Sequence, residues 1–274
     1  MDQYTVSSKY SAPVQQNKAE NYVVLFAGGG GVESNQVRYY VNFAYTYEFL
    51  VENYGIPKDH IYVLYADGTN RGGDFIQNGV LYNSTMDYAN GSHVYEASQS
   101  NLQSVMNELA RKIDSNDHLV VYVYDHGSDP YDGDRNKKGQ EVICLWRFNC
   151  MSDGITGQEF NSMISSVNAG YQTYLFAQCY AGGILDALNF SRSGIKMYGA
   201  AADNHYSPST SYINHETGIG VGGFAYQVMK AFYNGIQNTS EFYNYVVTEN
   251  YSYQTGKDKP YQRGNTNFQI FAQA

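Results

Sequence analysis

The chain has 274 residues, 43% of them apolar and 16% charged, with a formal net charge of −9. That composition supplies a globular core, excludes disorder for the bulk of the chain, and argues against nucleic acid or an anionic membrane as the main partner. No apolar run approaches the roughly 18–20 residues of a membrane span, and no signal-peptide pattern opens the sequence.

Residues 1–20 are polar and aperiodic and read as a flexible leader; no linker or repeat interrupts residues 21–274, which predicts a single domain. Tyr22 to Ala27 is an apolar strand running into Gly28-Gly29-Gly30-Gly31. The fingerprint G-x-G-x-x-G fails there because Glu33 stands where the third glycine should be, so a tight turn is expected rather than a nucleotide site. Val37, Val41, Ala44, Tyr45 and Phe49 recur at helical spacing and predict a helix over 36–54, stopped by Gly55-Ile56-Pro57. His60 to Tyr65 is a second strand. Thr69 to about Ser98 is rich in Gly, Asn and Ser and predicts a long surface excursion.

An amphipathic helix is expected over 101–113, a strand over 120–124, a polar loop over 129–140, a short strand over 141–146 and a helix over 156–167. A strand over 173–177 follows, then a helix over 181–190, a strand over 195–201, helices over 223–232 and 241–251, and a last strand over 268–272. Such alternation predicts an α/β fold whose parallel or mixed sheet is covered on both faces. The 29 tyrosines read as half-buried surface and interface area.

Two strand ends carry the chemistry. Val120-Val121-Tyr122-Val123-Tyr124-Asp125 ends in His126-Gly127, and Thr173-Tyr174-Leu175-Phe176-Ala177-Gln178 ends in Cys179. In an open α/β sheet reactive groups sit beyond the carboxyl ends of the strands. Parallel neighbours ending in His and Cys would set an imidazole beside a thiol, as a cysteine nucleophile requires. The N–H groups of Gly127 and Cys179 are the expected oxyanion donors, and a helix from Ala181 would point its positive end at the sulfur.

Other schemes are weaker. Asp132-Gly133-Asp134-Arg135-Asn136 starts like a Ca²⁺ loop, but Lys137 stands where Gly is needed and Ile143 where Glu is needed, so an exposed turn is expected. His215-Glu216-Thr217-Gly218-Ile219 lacks the second His of a zinc protease, and no G-x-S-x-G occurs. His60, His93, His118 and His205 show no metal-like spacing and read as surface or structural; no metal and no cofactor are expected. Cys144 and Cys150 pairing across a turn, and a reduced trio with Cys179, both stay open. Asn-x-Ser/Thr acceptors at Asn83, Asn90, Asn189, Asn238 and Asn250 permit a secreted setting.

The sequence resembles the legumain (asparaginyl endopeptidase) family of caspase-fold cysteine peptidases from about residue 21 to 233. The resemblance lies in Val23 to Gly28, in Arg38 on the helix ending Asn53-Tyr54-Gly55-Ile56-Pro57, in Ile61 to Asp67, in Asp125-His126-Gly127-Ser128, in Phe176 to Gly182 around Cys179, and in Ala200-Ala201-Ala202-Asp203. It implies a caspase-like three-layer α/β/α sandwich with a mostly parallel central sheet. It also implies a cysteine endopeptidase acting on peptide or protein substrates, in a secreted or lysosome/vacuole-like compartment. His126 would be the general base or acid, Cys179 the nucleophile, Asn35 or Gln36 the group orienting the imidazole, and Arg38 the lining of the pocket for the residue before the cut. Two departures stand out: Ala177 replaces a Glu of family members that cut after Asn, and the segment Gly220-Val221-Gly222-Gly223 lacks their Asp. A pocket holding Arg38 without those acids should favour Asp, or an uncharged residue, over Asn. The alternative from another class is a non-catalytic caspase-like binding module using the same cleft. Oligomeric state has no signal in the sequence.

Overall fold

The structure, a computed structural model, describes residues 18–84, 89–129, 140–147, 153–188, 193–200, 212–213, 220–221, 223–249, 260–264 and 267–273. Its strands are β1 (Asn21–Ala27), β2 (Ile61–Tyr65), β3 (Phe75–Gln77), β4 (Val80–Tyr82), β5 (His93–Tyr95), β6 (His118–Tyr124), β7 (Gly127–Ser128), β8 (Val142–Ile143), β9 (Ile155–Thr156), β10 (Tyr171–Ala177), β11 (Ile195–Gly199), β12 (Tyr212–Ile213), β13 (Gly220–Val221) and β14 (Tyr261–Arg263). The α-helices are α1 (Val37–Glu52), α2 (Gln99–Lys112), α3 (Gly157–Ile164), α4 (Ala181–Ala187), α5 (Phe224–Tyr233) and α6 (Thr239–Thr248).

Seven strands make the central sheet, in the order β14-β11-β10-β6-β1-β2-β5. All neighbours are parallel except β14, which runs antiparallel to β11. Because helices cover both faces, β1, β6 and β10 are apolar almost throughout instead of alternating. On one side α1 packs with α5 and α5 with α6; α3 packs with α2 and α4. Caps fix the helix starts: Ser98 accepts from the Asn101 amide, Thr156 and Glu159 form a capping box, and Asn238 Oδ1 accepts from Ser240 and Glu241. Burial dominates the energetics. Each fully buried Phe or Leu contributes about 1.5–3 kcal/mol, whereas an exposed pair such as Lys112–Glu108 contributes about 0.3–0.5 kcal/mol.

Three expectations need correction. The tyrosines are not all half-buried surface: Tyr39, Tyr62, Tyr65, Tyr122, Tyr124, Tyr174 and Tyr198 are fully buried. Three of these hydroxyls donate inside the fold: Tyr122 to Asn42 Oδ1 (3.0 Å), Tyr174 to Gln172 Oε1 (2.8 Å) and Tyr198 to the Thr239 carbonyl (2.6 Å). The excursion over 69–98 contains the β3–β4 hairpin and β5, the edge of the main sheet. An Asn78-Gly79 turn with positive φ at both residues closes that hairpin. Finally, residues 268–272 form one bridge, Asn238 to Gln269, and not a strand. Their apolar side chains are spent on packing, with Phe271 against Tyr54 and Phe232.

Candidate active site

Sheet register brings the two predicted strand ends together. Ala177 on β10 is level with Tyr124 on β6, so the residues that follow, Gln178-Cys179 and Asp125-His126-Gly127, leave the sheet side by side. Their backbones touch: a Cβ on Gly127 would collide with the Cys179 carbonyl oxygen and lie 2.5 Å from Gln178 Nε2. Only glycine permits that approach. Gln178, buried, donates from Nε2 to the Val142 carbonyl at 3.1 Å and so ties the Cys179 turn to β8. Tyr180, in the left-handed conformation, turns the chain into α4 immediately after Cys179.

Asp125 organises the other side. Its carboxylate accepts from the amides of Gly28 (2.6 Å), Gly29 (2.9 Å) and His126 (2.6 Å). Burial pushes it up to about 7, opposed by those three donors. The Gly28 and Gly29 amides of the glycine turn are therefore already engaged by the chain itself.

The imidazole is held by backbone. His126 Nε2 lies 3.0 Å from the Ser34 carbonyl oxygen. A carbonyl only accepts, so Nε2 carries the hydrogen and Nδ1 keeps its lone pair. Burial lowers the His126 pKa, the bond to Ser34 opposes the shift, and the Arg38 charge adds to it. The resting imidazole is thus neutral over a wider range than an ordinary histidine. Cys179 is half-buried and not part of a disulfide, whereas Cys144 is disulfide-bonded; Cys150 lies outside the described residues.

Of the expected orienting residues, Asn35 is buried and donates from Nδ2 to the Tyr65 hydroxyl (3.1 Å) and the Asp74 carbonyl (3.0 Å). Gln36 precedes α1 without a side-chain capping bond. It is the Ser34 carbonyl that reaches the ring, and Asn35 anchors the loop carrying it. Arg38 is half-buried at the start of α1. Burial works against its charge, but Tyr124, Tyr39 and Cys179 around it outweigh that and raise its pKa. Ala177 is buried on β10, and Gly223 is buried just before α5. That helix start is drawn to α1 by Asn42 Nδ2, which donates to the Ala225 carbonyl at 3.0 Å.

Gly127 pairs with Ile143 across β7 and β8. The ladder bond there runs from the Cys144 amide to the His126 carbonyl (3.4 Å), the pattern in which the Gly127 N–H is not used by the ladder. His60 and His93 stack on Tyr22 and Tyr62, and His118 Nδ1 meets the Ile270 carbonyl at 3.1 Å. Among the described residues no group of three or more His, Cys, Asp or Glu could hold a metal, and no helix is long and apolar enough to cross a membrane. The Asp132–Asn136 loop, His205, residues 215–219, residues 201–203 and Gly222 lie outside the described residues.

The family model for the metacaspase, peptidase C14 domain matches residues 46–188, just over half of the 274-residue chain. The chain belongs to the metacaspase peptidase C14 family. His126, Gly127, Ala177 and Cys179 fall inside the matched span of this metacaspase; Asn35, Gln36, Arg38 and Gly223 fall outside it. Among solved structures, that of protein GSU0716 from Geobacter sulfurreducens is similar in fold, with a TM-score of 0.55 and 11% identity over 93% of this chain and 97% of that one. No curated protein matches the chain. The fold is the caspase-like α/β/α sandwich expected from sequence, and the activity of the metacaspase family is that of a caspase-like cysteine peptidase acting on protein substrates.

A buried carboxyl pair lies apart from Asp125. Asp67 (1% exposed) and Asp74 (0%) approach each other under the loop leaving β2, with Arg147 3.9 Å from Asp67 Oδ2. Neither Asp67 oxygen accepts a well-aligned hydrogen bond. Burial, then Asp74, raises Asp67 to about 6. The folded chain therefore holds this proton more tightly than the unfolded one. The resulting stability is full below about pH 4 and lost as pH rises through about 6. Urea midpoints of wild type and Asp67→Asn at pH 4.5 and 7.5 should show wild type losing on the order of 2 kcal/mol relative to the variant. Parallel curves for the two proteins would show that Asp67 does not titrate this way.

Proposed function

We propose that the chain is a cysteine endopeptidase of legumain-like layout that uses His126 and Cys179 as a dyad and cuts after Asp. The observation that supports this is the close backbone approach of Gly127 to Cys179, which joins the two strand ends that carry His126 and Cys179. Neutral His126 accepts the thiol proton at Nδ1, and the Cys179 sulfur attacks the scissile carbonyl. The Gly127 and Cys179 N–H groups stabilise the oxyanion. The imidazolium then protonates the leaving amine. Water, deprotonated by the same ring, releases the acyl group and restores the thiol.

Arg38 supports the specificity. A half-buried guanidinium in electrostatic reach of the nucleophile matches a carboxylate in the substrate residue before the cut. It offers a carboxamide no acceptor for its N–H₂ group, and Ala177 and Gly223 supply none. Fluorogenic peptides with Asp, Asn, Ala or Arg before the cut test this. Wild type should turn over the Asp peptide at least about 10-fold better than the Asn peptide, and Arg38→Gln should erase that preference, mainly through KM. A wild type that prefers Arg, or an Arg38→Gln variant that keeps the Asp preference, would refute the assignment.

A further inference from the structure

Arg38 and Tyr39 are consecutive on α1, and consecutive helical residues point in different directions. Yet Arg38 Cζ lies 5.3 Å from the centroid of the Tyr39 ring, and its guanidinium is within hydrogen-bonding reach of the Tyr39 hydroxyl. The arginine is therefore folded back over its neighbour. Helix geometry does not impose that; a contact has to hold it. Tyr39 is itself fixed. It is 1% exposed, and its ring meets Tyr124 edge-on at 4.8 Å and 80° and His126 edge-on at 5.5 Å and 90°. A buried phenol needs a polar partner, and the Arg38 guanidinium is one.

We propose that Tyr39 is a positioning residue that holds the Arg38 guanidinium toward Cys179 through its hydroxyl and holds the His126 ring through its own ring. The two contacts tie the substrate-anchoring cation to the dyad. His126 is then fixed from two directions, by the Ser34 carbonyl at Nε2 and by Tyr39 against its ring. The charged or titratable groups around the phenol are Arg38, Asp125 and Tyr124; His126 adds its ring. The Arg38 half of the proposal rests on the reading of Arg38 as the cation of the substrate pocket.

The test uses alkylation of Cys179, which needs no turnover. Thiolate displaces iodide from either anionic iodoacetate or neutral iodoacetamide, forming a C–S bond and breaking the C–I bond. A guanidinium held near the sulfur favours the anionic reagent. In the full chain, Tyr39→Phe removes only the hydroxyl; with both reagents compared at a pH where Cys179 is thiolate, the ratio of iodoacetate to iodoacetamide rates should fall about 5-fold. Tyr39→Leu also removes the ring contact and should shift the pH profile of iodoacetamide alkylation beyond that of Tyr39→Phe. Mass spectrometry locates the adduct, and thermal unfolding checks the fold. An unchanged ratio in Tyr39→Phe would overturn the proposal even if Tyr39→Leu does not fold. A folded Tyr39→Leu whose pH profile matches that of Tyr39→Phe would overturn the His126 half. Failure of the Asp-specificity reading shows up separately, as absence of Asp preference in wild-type peptide cleavage while the alkylation ratio still responds to Tyr39→Phe.

Discussion

Cys179→Ala removes peptide hydrolysis, lowering kcat by about 10³-fold or more while leaving the fold intact. The size follows from what the side chain supplies. Without sulfur there is no acyl-enzyme, and the remaining oxyanion donors and binding contacts act only on a direct attack by water. The thiol is only half-buried, so its loss opens little cavity, and stability should change by less than about 1 kcal/mol. Steady-state rates together with a thermal unfolding curve check both parts. Residual turnover within 10-fold of wild type would assign the chemistry to another group.

Gly127→Ala is the second large effect, and it works through space. The added Cβ would collide with the Cys179 carbonyl oxygen, which is backbone at the end of a central strand and does not give way as a flexible side chain would. Forcing the β6 and β10 ends apart costs about 1–3 kcal/mol. It also moves the imidazole away from the thiol. A displacement near 1 Å in a reacting pair costs about 10²-fold in rate, so activity should fall by about that factor even in folded protein. Urea unfolding paired with kcat/KM separates the two costs. A variant with wild-type rates would mean that Gly127 does not set the His–Cys spacing.

How much of this was legible in the residues depends on which group carries each feature. The strand ends at His126 and Cys179 could be read because buried parallel strands leave continuous apolar runs that stop abruptly. Ser34 could not, since its contribution to His126 is a backbone carbonyl, which every residue possesses. Asp125 was visible only as part of an Asp-His-Gly-Ser resemblance; its task of gathering three amides from two loops is a tertiary fact. Asn78-Gly79 between Phe75-Ile76-Gln77 and Val80-Leu81-Tyr82 was a hairpin signal in plain view, and the polar composition around it hid it. Residues 268–272 show the converse. An apolar run of strand length became a packed tail because β14 occupies the edge position beside β11. Some buried tyrosines depart from expectation for a related reason: their hydroxyls find internal acceptors that sequence distance conceals, 80 residues away for Tyr122 and 41 for Tyr198.

The central claim is that His126 and Cys179 act as a pair, and the most direct measurement is kcat/KM from pH 4.5 to 8 for wild type and His126→Ala on one cleaved peptide. Wild type should show an acid limb below the ordinary histidine range, because burial lowers the His126 pKa. His126→Ala should lose that limb along with about 10²–10⁴-fold in rate. A His126→Ala enzyme that keeps the wild-type rate and the same limb would contradict the account.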